Sequence, residues 1–201
     1  MQVQDTVIQD TRHWLEQAVI GLNLCPFAKS TYVKDLLHIE VSPAQTEDQA
    51  LQAVHDGLVA LAEMSIKERE TTLLVFPAMF DDFLYFNDFV GAAEDILADL
   101  DLEGVLQVAT FHPRYQFDGT EPEDITNATN WAPYPTLHLL REESIDRAVE
   151  TYPDVDAIPE RNMALLQEMG EAGWNKLGIV TRVSPEEWVR ACPHATANKG
   201  E

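Results

Sequence analysis

The sequence predicts a layered α/β domain: a mostly parallel or mixed sheet of about four strands, with an N-terminal helix and C-terminal helices. Strand-like and helix-like segments alternate between residues 37 and 111, which favours parallel strands joined by right-handed crossovers. Three strand-like runs stop at or just before a proline, a residue that cannot donate to a sheet ladder. Hydrophobic residues make up 45% of the 201-residue chain and charged residues 24%, as in folded domains.

The first predicted elements are an amphipathic helix and a strand. The helix ends near residues 21–23, and its apolar stripe consists of Trp14, Leu15, Ala18, Val19 and Leu22. Residues 37–41 alternate apolar and polar side chains up to the stop at Pro43, as expected of a strand. Thr46 and Gln49 then form a capping box, which predicts that a second helix begins there.

The middle of the chain predicts a central strand, a helix and a third strand. Residues 72–76 are largely apolar, which is typical of a strand covered on both faces. Asp81 and Asp82 place acceptors and negative charge where the next helix should begin. The third strand, at residues 105–111, ends at His112.

A long loop is predicted at residues 113–135, because neither a helical nor a strand period is present there. Loops of this length are functional or disordered in most domains, and the aromatic residues of this one favour an ordered loop. A fourth strand is predicted at 136–140, followed by helices at 144–152 and from about 159 to 176.

The predicted domain organisation is a single α/β domain at residues 1–182 and a weakly structured C-terminal tail at 183–201. Within the tail, residues 185–189 are expected to form one more helical turn around Trp188. The N-terminal residues lack the pattern of a secretion signal, and no apolar run is long enough to cross a bilayer.

Charge and cysteine content limit the partners and the compartment. The chain has 35 Asp+Glu and 13 Lys+Arg, a formal net charge of −22, so its surface repels phosphate backbones and anionic lipids. We therefore expect no nucleic-acid partner and no membrane partner. Only Cys25 and Cys192 are present, which favours reduced thiols and a cytoplasmic location over a disulfide framework.

The strand-end edge of the sheet is the predicted site. If the first three strands are parallel, then Ser42, Pro77 and His112 lie on the same edge, where ligands of α/β sheets bind. The 113–135 loop starts at that edge and is placed to cover it. The loop is therefore the expected lid of a pocket.

His112 and Cys25 are the candidate catalytic residues. His112 ends a buried strand, where its imidazole serves either as a general acid or base, or as a partner of a backbone carbonyl. Cys25 precedes Pro26, so a helix that begins there would place the sulfur at its positive end and favour the thiolate. The alternative is a buried, unreactive cysteine.

Six further residues are candidates for substrate binding. Arg114 and Arg141 are the only Lys or Arg residues between Pro77 and Asp146, so each is a candidate anchor for a carboxylate or phosphate. Alternatively, each pairs with a nearby acid such as Asp118 or Glu142. The other four are polar residues that structural roles in turns and strands also explain; they are Asn127, Asn130, Tyr134 and His138.

Four strings carry a resemblance to a known family. They read GLNLCPFA, TTLLVFP, GVLQVATFHP and PYPTLHLLRE, at residues 21–28, 71–77, 104–113 and 133–142. Over about residues 11–176 the chain resembles a bacterial family of uncharacterised proteins, a domain of unknown function. The resemblance implies a shared fold and no particular reaction.

Three hypotheses of function follow. The first is an enzyme that acts on a small anionic metabolite at a pocket covered by the 113–135 loop; its cofactor and the oligomeric state stay open. It requires Cys25, His112 and Arg141 to converge in one cleft. The second is a non-catalytic module that docks a partner protein through loop aromatics, namely Phe117, Trp131 and Tyr134. The third is a metal-binding protein using Cys25, His112 and His138.

Overall fold

The computed structural model describes residues 2–192, and within them it contains seven α-helices and four β-strands. The helices are α1 (Val3–Trp14), α2 (Ala28–Val33), α3 (Glu47–Glu63), α4 (Phe83–Asp99), α5 (Glu142–Thr151), α6 (Ile158–Asn175) and α7 (Pro185–Ala191). The strands are β1 (Leu37–Val41), β2 (Thr71–Val75), β3 (Leu106–Phe111) and β4 (Thr136–Arg141). A π-helical segment, Leu15–Ile20, continues α1, and a short 3-10 helix, Ile125–Thr129, lies within the long loop.

The four strands form one mixed sheet in the order β1-β2-β4-β3. β1 and β2 are parallel, whereas β4 is antiparallel to both β2 and β3. β1, β2 and β3 therefore point the same way, and β4 returns between the last two. The predicted fold class is confirmed, with β4 as the strand that makes the sheet mixed.

The sheet separates two apolar layers. Leu74, Leu137 and Leu139 face one side, where they pack with the buried residues of α3 and α4. Leu73 and Val75 face the other side, where they pack with α1, the π-helical segment, the long loop and α6. Because side chains alternate along a strand, β2 and β3 each contribute to both layers.

Caps begin α3 and α4 where the sequence predicts them. The Thr46 side chain accepts a hydrogen bond from the Gln49 backbone N–H and is the N-cap of α3. Gln49 completes the turn by accepting from the backbone N–H of Gln45 rather than of Thr46. The Asp82 side chain accepts from the Tyr85 N–H at the start of α4.

The segment before β1 differs from its prediction. The predicted helix at Pro26 is absent: α2 begins at Ala28, and Phe27 occupies the N-cap position. The intervening residues form turns that continue from the π-helical segment, since the Cys25 N–H donates to the Val19 carbonyl at 3.3 Å. Cys25 is therefore no helix cap, and the dipole argument for its reactivity is wrong.

Residues 183–192, assigned by sequence to a weakly structured tail, pack against the domain. Ser184 and Glu187 form a reciprocal capping box that begins α7. Trp188, on this helix, is 1% exposed and belongs to the apolar layer beside α1. The remainder of the tail, residues 193–201, lies outside the described residues.

Candidate functional site

The 113–135 loop is fastened to the free edge of β3. The His112 N–H donates to the Asn130 carbonyl, and the Asn130 side-chain amide donates to the Thr110 carbonyl at 3.1 Å. In an edge strand, the backbone N–H and C=O groups of alternate residues point away from the neighbouring strand. The His112 N–H and the Thr110 carbonyl are such groups, on the side of β3 that faces away from β4. Asn130 therefore shields part of an edge strand and acts as a structural residue.

Asn127 holds the loop together from within. Its buried side chain accepts hydrogen bonds from the Phe117 N–H at 3.0 Å and the Thr120 hydroxyl at 2.8 Å. Its amide group donates to the Glu121 carbonyl at 2.8 Å. With these contacts made inside the loop, Asn127 serves to order it.

His112 is buried, and both of its ring nitrogens contact the backbone. Nδ1 accepts a hydrogen bond from the Arg114 N–H at 2.9 Å, so the proton of the neutral ring is on Nε2. Nε2 then donates to the Phe80 carbonyl at 2.7 Å. Burial, the largest effect, lowers the pKa of His112 and keeps the ring neutral.

Aromatic side chains fill the edge at which a pocket is predicted. The His112 ring stacks on Phe86 at a centroid distance of 5.4 Å and lies 5.4 Å from Phe83. Phe80, whose carbonyl binds His112, has a φ of 64° and is buried among further phenylalanines. The hydrogen bond from His112 thus holds Phe80 in the left-handed conformation between β2 and α4. His112 therefore has the second of its two predicted roles, that of a partner of a backbone carbonyl.

Arg141 lies at the opposite end of the strands from His112. It is opposite Leu106, at the start of β3, whereas His112 follows the end of the same strand. Its guanidinium donates to the carbonyls of Met64 at 2.7 Å and Arg69 at 3.2 Å, near the end of α3. The prediction that Cys25, His112 and Arg141 converge in one cleft is therefore wrong.

Arg114 is an exposed residue of the strand-end edge. It pairs with Asp81 at 2.9 Å rather than with Asp118. Both side chains are exposed, and surface pairs of this kind contribute little to stability. No buried polar group organises Arg114 into an anion site.

The predicted metal ligands Cys25, His112 and His138 are not gathered. Within residues 2–192 no group of three or more His, Cys, Asp or Glu side chains is arranged to hold a metal ion. His138 lies on the sheet face opposite Leu137 and Leu139, and its Nε2 contacts the Thr71 hydroxyl at 2.7 Å. Burial lowers the pKa of His138 to about 4.

Tyr134 connects the loop to α1. Its buried hydroxyl donates to Asp10 at 2.7 Å and accepts from the Val183 N–H at 3.2 Å. Asp10 is itself 4% exposed and also accepts from the Arg182 N–H at 3.1 Å and from Arg182 Nε. A buried carboxylate thereby holds an arginine side chain at the surface of the domain.

Arg182 lies where two cavities meet, in a groove that we call the α1 cleft, between α1 and residues 178–191. The cavities have volumes of about 440 Å³ and 490 Å³, and Arg182 lines both. One wall consists of side chains of α1 and of the first turn of its π-helical continuation: Val3, Thr6, Gln9, Asp10, Arg12, His13 and Glu16. The opposite wall includes Gly178, Val180, Val183, Glu187, Arg190 and Ala191.

The α1 cleft combines three guanidinium groups with three carboxylates. Arg12, Arg182 and Arg190 line it, together with His13, whose Nε2 donates to the Leu177 carbonyl at 2.8 Å. Its three carboxylates each bind a protein group. The Tyr32 hydroxyl donates to Glu16 at 2.6 Å, the Ser184 N–H donates to Glu187 at 3.0 Å, and Asp10 holds Tyr134 and Arg182.

Part of the remaining hydrogen-bonding capacity in the cleft belongs to guanidinium donors. Among the residues that the structure describes, no hydrogen bond from the terminal Nη atoms of Arg182 or Arg190 is present. Guanidinium groups bind carboxylate and phosphate oxygens through paired N–H donors. The cleft is therefore suited to an oxyanion, and its lining residues include no cysteine or serine nucleophile.

Four residues of the cleft were not predicted from the sequence: Asp10, Arg12, Arg182 and Arg190. Asp10 lies on the predicted amphipathic helix, where a carboxylate is expected to face solvent. Only the scarcity of basic residues, 13 in 201, could have drawn attention to the arginines.

No helix within the described part of the chain combines the length and apolar character needed to span a membrane.

Comparison with known families identifies the chain at the level of a family alone. The family model described as a protein of unknown function, DUF1415, matches residues 6–176. Neither the curated proteins nor the solved structures include a match to the chain. Apart from Val3, the α1 wall of the cleft lies within the matched residues, and the wall at 178–191 follows them.

Proposed function

Because the chain belongs to DUF1415, a family described as a protein of unknown function, we propose its function from the geometry of the α1 cleft. The protein binds a small oxyanion, the carboxylate or phosphate group of a metabolite, between α1 and residues 178–191. The observation that carries the proposal is the attachment of Arg182 to the buried carboxylate of Asp10.

Attachment to Asp10 prepares Arg182 for binding. Ordering a free arginine side chain costs up to about 2 kcal/mol of conformational entropy. In this structure Nε and the backbone N–H of Arg182 are already bound to Asp10, and Tyr134 holds Asp10 from the other side. An incoming anion meets a side chain whose orientation is largely fixed, so less entropy is lost on binding.

Ligand binding is better supported than catalysis. The candidate catalytic residues Cys25 and His112 lie outside the cleft, and His112 is hydrogen-bonded to backbone at both ring nitrogens. The anionic ligand expected from sequence is thus retained at a different place in the fold. Reduced cysteines, the family resemblance and the −22 charge support a bacterial cytoplasmic protein without a nucleic-acid partner as part of the proposal.

Calorimetric titration tests the proposal. Inorganic phosphate and succinate are titrated at low ionic strength in a bis-Tris propane chloride buffer, which contains no competing oxyanion, with glycerol as the neutral probe. We expect at least one of the two anions to bind and glycerol not to bind. Binding of phosphate alone identifies a phosphate ester as the ligand class, and binding of succinate alone identifies a carboxylate.

Two matched variants locate the binding. Arg190→Gln removes a cleft guanidinium and should weaken anion binding about tenfold, equivalent to about 1.4 kcal/mol. Arg114→Gln causes the same change in net charge at the other candidate anchor and should leave affinity unchanged. Failure of both anions to bind, or equal loss in the two variants, would contradict the proposal.

A further inference from the structure

A strip of exposed and half-buried apolar side chains crosses the first turn of α4, and none of them lines the α1 cleft. We call it the aromatic strip; it comprises Phe83, Leu84, Tyr85, Tyr115 and Phe117. Leu84 is 70% exposed, Tyr85 42% and Phe117 36%. Such exposure in one contiguous set of large apolar residues is typical of a docking surface rather than of scattered surface residues.

Ring contacts join three members of the strip and hold their side chains in place. Phe83 lies 5.0 Å from Tyr115, and Tyr115 lies 4.9 Å from Phe117, measured between ring centroids. On the other flank the Tyr85 ring lies 5.4 Å from the buried Phe80. Rigid aromatic side chains lose little entropy on binding, which is why such residues dominate the energetics of protein interfaces.

The rim of the strip is acidic. Asp81, Asp82 and Asp118 are exposed beside it, and Glu47 accepts a hydrogen bond from the Tyr85 hydroxyl at 2.9 Å. Arg114 is the basic residue of this region, and Asp81 pairs with it. The field of the chain, with its net charge of −22, adds to the local negative potential.

We propose that the aromatic strip binds a protein segment that presents apolar side chains between Lys or Arg residues. Apolar side chains of the partner cover Leu84 and Phe117, and its cations face the carboxylates of the rim. A second copy of this chain would bring two acidic rims together, so like-charge repulsion disfavours it. The strip thus gives the protein a binding activity separate from that of the α1 cleft.

The test uses a labelled synthetic peptide in which lysine alternates with leucine and phenylalanine, followed by fluorescence anisotropy. We expect this peptide to bind at least tenfold more tightly than a peptide in which serine replaces leucine and phenylalanine. Leu84→Asn should weaken its binding about tenfold. Val33→Asn is the matched control, because Val33 is 74% exposed on α2, outside the strip.

Three outcomes would overturn the inference. They are failure of the peptide to bind, equal binding of the two peptides, and equal loss of affinity in Leu84→Asn and Val33→Asn. Sedimentation of the free protein at low salt tests for a fourth outcome that would overturn it. If the free protein is a dimer and Leu84→Asn dissociates it, the strip binds a second copy of the chain. Circular dichroism of both variants shows whether each remains folded.

Discussion

His112 and His138 show how burial determines what a histidine can contribute. Both rings are surrounded by protein, and burial lowers both pKa values below the ordinary 6.5. For His112, the hydrogen bond from the Arg114 N–H to Nδ1 assigns the tautomer, and the bond from Nε2 to the Phe80 carbonyl leaves no ring nitrogen for a substrate. The sequence predicts an acid–base role for His112 and a ligand-binding role for His138, whereas in the structure both rings contact protein groups.

His138 makes stability depend on pH in a defined direction. Its pKa is about 4 in the fold against 6.5 in the unfolded chain, so protonation favours unfolding. The stabilisation from neutral His138 is complete above pH 6.5 and is lost as pH falls toward 4. At pH 4.5 this loss should be on the order of 2 kcal/mol relative to pH 7.

His138→Gln should reduce this decrease in stability, because glutamine does not titrate and can still donate to Thr71. Urea unfolding at pH 7 and pH 4.5 measures the difference in free energy of unfolding. His55→Gln is the control, since the His55 side chain is exposed on α3. If both variants lose as much stability as the wild-type protein, burial of His138 does not have the expected effect.

At the scale of elements, α1 and its π-helical continuation form one wall of the α1 cleft. The π-helical segment Leu15–Ile20 ends at Gly21, where the backbone leaves no space for a side chain. A Cβ atom there would lie 2.4 Å from the Gln17 carbonyl oxygen and 2.8 Å from that of Glu16. Gly21 is therefore required by close backbone approach, not by an unusual φ.

Gly21→Ala should destabilise the fold by about 1–3 kcal/mol, the usual cost of inserting an atom into filled space. Gly91→Ala in α4 should instead stabilise it by up to about 1 kcal/mol, because no atom lies within 4 Å of the added Cβ and alanine favours helix. Denaturant midpoints of the two variants test both signs. If the two variants changed stability equally, the backbone at Gly21 would have more room for a side chain than the structure shows.

Local patterns predicted most elements correctly, since caps and periodicity act over a few residues. The Thr46 and Asp82 caps and the strand at 136–140 are examples. The position of β4 between β2 and β3 was not predictable, because strand order depends on pairing between distant segments. The helix at Pro26 was wrong because turns that follow the π-helical segment occupy that position.

The candidate site was less predictable than the fold. The hydrogen bond between Tyr134 and Asp10 joins residues 124 positions apart, and that between Arg182 and Asp10 spans 172 positions. No local sequence pattern reports such contacts. Tyr134 was identified as a site residue, but its partners and its direction away from the strand-end edge appear only in the structure.

At the scale of the whole molecule, the domain presents two surfaces with opposite character. The α1 cleft concentrates guanidinium groups in a chain of net charge −22, whereas the aromatic strip is apolar with an acidic rim. Within the described residues, His112 and its aromatic neighbours fill the strand-end edge. The function we propose is therefore ligand binding in the α1 cleft rather than at this edge.

Backbone amide chemical shifts of ¹⁵N-labelled protein, recorded during titration with phosphate and with succinate, test this claim most directly. We expect the largest changes at residues 9–13 and 182–191, together with the Nε–H resonance of Arg182, and small changes in the 113–135 loop. Changes concentrated at His112 and the 113–135 loop, with the α1 cleft unaffected, would contradict the account.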